Sequence, residues 1–172
     1  MKPAYLNFIL FIAFIYSLYL VCNQFFFFSL SYDESLFINA AISKDPITFI
    51  DKHWRGFPIM NMDYIGALKS WLYIPIFKIF GVNLLSIRLP MVFLMYFNFY
   101  LIYKIALKYF ENVIAILLII LLFTDYTLIY QHKIDHGPTA IGTCLKLLAV
   151  YYISRQESLK NNILILGILL LG

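Results

Sequence analysis

The sequence predicts an all-α fold: a polytopic transmembrane helical bundle with two juxtamembrane helices in its first outer loop. Three observations predict it. The chain is 63% hydrophobic and only 13% charged, against about 25% charged residues in soluble domains. Residues 3–32 carry no charge at all. The remaining charges punctuate a series of apolar runs rather than gathering on one face, which excludes a nucleic-acid-binding protein despite the net charge of +4.

Five apolar segments follow in order, at about 4–30, 87–107, 112–130, 138–153 and 162–172. A helix needs about 20 residues to cross a hydrocarbon core of about 30 Å. The first segment is too long for a signal-peptide core, which has about 7–15 residues. The second opens at Arg88 and Pro90 and closes at Lys104 and Lys108. The third is interrupted only by Asp125, and the fourth carries Lys146 near its middle. The fifth stops at Leu169-Leu170-Leu171-Gly172, short of a full crossing. The reading is a single transmembrane domain over 1–172, the front part of a longer protein. Cys22 and Cys144 both lie in apolar runs and read as inert thiols.

The loop 31–86 is expected to hold two interfacial helices. Ser31 and Glu34 have the S-x-x-E spacing of a capping box, which predicts a short helix to about Ser43. Residues 44–62, with Pro46, Gly56 and Pro58, read as loop. The stretch 67–80 is short, holds Lys69 and Lys78, and has Pro75 in its middle, so it lies flat rather than crossing. The 31–86 loop and the 131–137 loop then share one side, where 131–137 holds Lys133 as its single lysine or arginine. The other side receives Lys2, Lys104, Lys108, Arg155 and Lys160. This placement, with the N-terminus cytoplasmic and the acidic loop outside, follows the positive-inside rule for the short loops, while 31–88 holds six basic residues of its own.

Under that topology Asp33, Glu34, Asp63 and Asp135 face one surface from three separate segments. Such acids deprotonate an acceptor or hold a divalent cation, Mg or Mn, for which Asp33 and Asp135 are the candidates. Glu34 also serves as a cap, and acids in a first turn favour the helix dipole. Asp125 and Lys146 lie within apolar segments, where an ionisable group marks a site or a polar interior contact. Lys69, Arg55 and Arg88 flank the interfacial region, as headgroup contacts or as a clamp on a lipid phosphate. His132 and His136 are four apart, but Gly137-Pro138 disfavours a regular helix and no zinc motif is present. Three function classes fit: an enzyme acting on a lipid-borne substrate, a transporter using Asp125, Asp135 and Lys146, or a non-catalytic membrane subunit.

The order of these residues resembles a known family. A first span followed by Asp33-Glu34, then Pro58, Tyr64-Ile-Gly66-Ala-Leu-Lys69-Ser-Trp-Leu-Tyr-Ile-Pro75, Phe80-Gly81 and Ile87-Arg88-Leu-Pro90, is similar to the amino-terminal part of GT-C membrane glycosyltransferases. The similar branches are the protein O-mannosyltransferases, the aminoarabinose transferases and the RgtA/B/C/D-like group. Asp135-His-Gly137-Pro138 followed by Leu145-Lys146-Leu extends the likeness over about residues 5–153. The resemblance implies a polyprenyl-phosphate-linked sugar donor, a lipid, glycan or protein acceptor, and inverting transfer. It implies Asp33 as the catalytic acid of the first loop, accompanied by Glu34. It places Asp63, Lys69, Arg88, Asp135 and Lys146 around the substrates.

Overall fold

A computed structural model describes residues 3–23, 25, 29–42, 51–55, 57–61, 65–134 and 138–155. The apolar segment at 162–172 lies outside these.

The first helix, α1 (Pro3–Asn23), is uncharged along its length and rises about 32 Å, enough for a hydrocarbon core. Proline at its start costs nothing, because the first turn has no intrahelical acceptor for an N–H. The helix stops well short of the expected boundary near Leu30. The reason is tertiary: the carbonyls of Phe25 and Ser29 leave the helical path and accept hydrogen bonds from Arg88.

The capping box forms as expected and starts α2 (Tyr32–Ile42). The Ser31 N–H donates to Glu34 Oε2 at 2.9 Å, and the Glu34 N–H donates to Ser31 Oγ at 3.1 Å, satisfying two donors that the first turn leaves open. Leu36, Phe37, Ile38 and Ala40 are its buried apolar residues.

The stretch expected as loop instead contains a small antiparallel sheet of β1 (Asp51–Trp54), β2 (Phe57–Asn61) and β3 (Ile65–Gly66), in that order. Arg55, with φ of 50°, makes the left-handed step after β1. Lys52 pairs with Met60 and His53 with Pro58, so Ile59 is the extra residue of a bulge. Its carbonyl is taken by the Ala67 N–H at 3.2 Å, which leads directly into α3 (Leu68–Phe80). The Trp71 indole N–H donates to the Pro58 carbonyl, so sheet and helix are tied twice.

At 13 residues, α3 rises about 20 Å and is too short to cross a membrane. It packs on α2, as the lying-flat reading requires. Tyr73 and Phe77 stack with ring centroids 5.0 Å apart and join Phe37, Ile38, Ile87 and Met91 in one apolar cluster. Ser70 Oγ donates to the Phe37 carbonyl and Tyr73 OH to the Ile87 carbonyl. Gly81, with φ of 70°, closes the helix, a conformation that favours glycine.

A second capping box, Asn83 with Ser86, starts α4 (Leu84–Tyr109). This is the longest helix and the second one long and apolar enough to cross a membrane. The third expected segment is broken. Helix α5 (Asn112–Thr124) and helix α6 (Tyr126–Ile134) meet at Asp125 with a bend of 64°. Thr124 Oγ1 bonds back to the carbonyls of Ile120 and Leu121, a local bond that bends helices. Asp125 Oδ1 then accepts the Leu128 N–H at 2.9 Å, making it the N-cap of α6. Asp125 is therefore an exposed cap and not a charge buried within a continuous span. Bent as they are, the two halves reach about 28 Å end to end, the length and composition of a broken span or a re-entrant loop. Helix α7 (Thr139–Ser154) packs along α4 over the expected fourth segment, and at 16 residues it is an apolar helix shorter than the two candidate spans. Leu20, Val21, Phe25, Val92, Met95, Phe99 and Ile129 form a second apolar core where α1, α4 and α6 meet. Both cysteines are free. The whole is an all-α membrane fold with two juxtamembrane helices and a minor sheet.

Candidate active site

A buried ion pair lies where α1 finishes and α2 and α4 begin. Arg88, in the first turns of α4, is fully buried, and so is Glu34 of α2. Arg88 Nε donates to Glu34 Oε1 at 2.9 Å, and Nη2 donates to Oε2 at 3.1 Å. This is the two-pronged geometry in which guanidinium and carboxylate bind most strongly. Nη1 donates to the Phe25 carbonyl at 2.7 Å and Nη2 to the Ser29 carbonyl at 3.2 Å. Glu34 Oε2 also holds the Ser31 N–H. Both side chains are thus committed to protein partners. Their chemistry at this point is to fasten the first turn of α2 onto α4.

Asp33, one residue earlier, is the contrasting case. It lies in the same first turn but is only half-buried. Among the described residues no hydrogen bond or ion pair engages its carboxylate. The Glu34–Arg88 pair therefore fixes the backbone from which a free acid projects. Capping did not require an acid at 33, and the structure assigns it no cap.

Lys69, in the first turn of α3, is fully buried. Its ammonium lies 4.6 Å from the ring centre of Phe37 and 6.0 Å from that of Tyr73, and it has further contacts. Lys146 lies apart from this group, exposed on α7. Asp63, Asp135 and His136 lie outside the described residues. His132 hydrogen-bonds the Leu128 carbonyl through Nδ1 at 2.9 Å. Its Nε2 and the Oδ1 of Asn98 are buried and unbonded. Among the described residues no three His, Cys, Asp or Glu side chains come together as a metal site.

Lys133 is the residue that sequence reasoning passed over. It reads as a loop lysine in 131–137, useful only for topology. The helix in fact continues through it, and the side chain is 1% exposed. It stands eight residues after the cap at Asp125, just over two helical turns along α6.

An apolar cavity of about 680 Å³ opens between α1, α4 and α5, lined by residues including Phe14, Val21, Val92, Phe93 and Phe99. Its wall reaches Cys22 and Leu89, the latter adjacent to Arg88.

The family model described as dolichyl-phosphate-mannose-protein mannosyltransferase matches residues 67–172. The match takes in Lys69, Arg88, Lys133, Asp135 and Lys146, and begins after Asp33 and Glu34. No curated protein and no solved structure matches the chain. With more than half its length matched and an apolar helical bundle around a charged end, the chain belongs to the dolichyl-phosphate-mannose-protein mannosyltransferase family of membrane glycosyltransferases.

Proposed function

We propose that the chain moves a sugar from a polyprenyl-phosphate-linked donor to a hydroxyl or amine of a lipid, glycan or protein acceptor, with inversion and with Asp33 as general base. The observation that carries this reading is the contrast within one helical turn. Glu34 is locked to Arg88 at both oxygens, while Asp33 beside it is half-buried and uncommitted. A rigid backbone holding an unengaged carboxylate is what proton abstraction needs.

The acceptor's lone pair attacks the anomeric carbon from the face opposite the phosphate. The bond from that carbon to the phosphate oxygen breaks, and its electron pair leaves with the phosphate. The acceptor proton passes to Asp33. Lys69 and Arg88 bear the positive charge beside α2, Lys69 through its buried ammonium and Arg88 as the anchor of that helix. Glu34 acts here as a positioning residue for Asp33. Asp63, Asp135 and Lys146 complete the substrate contacts in this reading. Where a divalent cation takes part, Asp33 and Asp135 are the carboxylates to hold it, and chelation followed by readdition of Mg or Mn reads that role. The reaction centre faces the outer side of a bacterial inner membrane, with the N-terminus cytoplasmic.

The test is sugar transfer from labelled polyprenyl-phosphate donors by the wild type and by Asp33→Asn. General-base loss lowers the rate by about 100- to 10,000-fold. Equal transfer by both would refute the assignment.

A further inference from the structure

The exposed apolar surface of α4 does not stop where that helix begins. Leu85, Leu89 and Phe93 are exposed at every fourth residue, the stripe that a spanning helix turns towards lipid. An apolar groove of about 540 Å³ carries this surface across to α3, with those three residues on one side and Ile76 and Phe80 on the other. Along α3, Trp71, Pro75 and Ile79 again recur at every fourth residue and are exposed, with Leu72 beside them. Tyr73 and Phe77 of the same helix turn into the core. A contiguous run of large apolar side chains facing out marks an interaction surface.

The surface continues onto the small sheet. The indole N–H of Trp71 donates to the Pro58 carbonyl, so its ring enters an apolar medium with no donor left to hydrate. In β2 Pro58 is buried and Ile59 beside it is exposed. Trp54, the last residue of β1, is 63% exposed, and the Arg55 guanidinium lies 4.9 Å from its ring centre. A tryptophan with an arginine at its side suits the layered chemistry of a bilayer interface. The ring sits at headgroup level and the cation meets lipid phosphates.

We infer that the β1–β2 hairpin is a membrane-surface anchor. Trp54 and Ile59 enter the bilayer interface, Arg55 meets the headgroups, and α3 beds its exposed stripe in the same layer. The occupant is the bilayer beside the protein, because the surface is continuous with the lipid-facing stripe of α4. Since β2 packs on α2, the anchor holds the helix that bears Asp33 against the membrane.

The chain has two tryptophans, Trp54 and Trp71, so its tryptophan fluorescence reads this surface alone. The experiment uses the whole chain in nanodiscs of phosphatidylcholine brominated either high or low on the acyl chains. Insertion of about 5–10 Å predicts that wild-type emission is lost mostly to the shallow bromines and little to aqueous acrylamide. Trp54→Phe is expected to remove part of this lipid-quenched emission. Adding phosphatidylglycerol is expected to deepen the quenching in the wild type and not in Arg55→Gln. An equal response of Arg55→Gln would overturn the part given to Arg55. A share of wild-type emission open to acrylamide and closed to both bromine positions, and absent from Trp54→Phe, overturns the anchor. A shift of that share on addition of a soluble glycan would make the hairpin an acceptor surface instead. Stronger quenching by the deep bromines also overturns it, since the hairpin would then lie in the hydrocarbon core. The wild-type measurement needs no variant and so survives misfolding of Trp54→Phe. Sugar transfer does not enter the readout, so the anchor and the base at Asp33 fail separately.

Discussion

Arg88 grips both carboxylate oxygens of Glu34 across 54 residues of sequence, in a pair with 0% and 2% of the side chains exposed. The contact joins the first loop helix to the longest membrane helix. It also explains why α1 ends early, since the same guanidinium collects the carbonyls of Phe25 and Ser29. A buried pair of this kind is costly to break from one side, because the surviving charge is left without a partner.

Glu34→Gln or Arg88→Met is therefore expected to destabilise the chain by about 3–5 kcal/mol. The measurement is thermal unfolding in detergent, with the double variant closing the cycle. The double variant should lose much less than the sum of the two singles, since it leaves no unpaired charge.

Asp33→Asn should separate activity from stability. The side chain is half-buried and makes no bond among the described residues, so its unfolding transition is expected within about 0.5 kcal/mol of the wild type. Transfer is expected to fall by at least about 100-fold. A large stability loss in this variant would mean that Asp33 is structural, as Glu34 is.

At the break between α5 and α6, Asp125 Oδ1 caps the Leu128 N–H. Asp125→Ala is expected to cost about 1 kcal/mol and Asp125→Asn very little, because asparagine caps equally well. Thermal unfolding of the two variants distinguishes a cap from a charge required in an ion pathway, where asparagine would fail.

Tyr73→Phe removes a hydroxyl that donates to the Ile87 carbonyl at 2.8 Å between α3 and α4. The change keeps the stack on Phe77. The expected loss is about 0.5–1.5 kcal/mol, the net worth of one hydrogen bond, since the Ile87 carbonyl keeps its acceptor role within α4.

The proposed reaction centre needs the first loop and the 131–137 loop on one side, so introduced cysteines at Tyr32 and Pro138 should label from the same side of the membrane in a chain with Cys22 and Cys144 replaced by serine. Labelling from opposite sides would refute the shared outer surface on which the proposed reaction depends.

Local signals made much of this fold legible. The uncharged run ending at Tyr32, the Ser31–Glu34 spacing and the Pro75-bearing stretch at 67–80 each act within a few residues. Hydrophobic length and capping chemistry decide them before any distant contact forms. The break at Asp125 and the strands after Asp51 were harder to read. The first looks like a charge in an apolar run, and the second lies among proline and glycine that also signal loop.

By itself, then, the sequence determined the membrane character, the two helices of the first loop and the candidate acids, because those follow from composition and near-neighbour spacing. Only the tertiary structure decided which acid is free. Glu34 and Asp33 are adjacent and chemically alike, and they part company because one meets Arg88 from another helix. The same long-range packing buries Lys133.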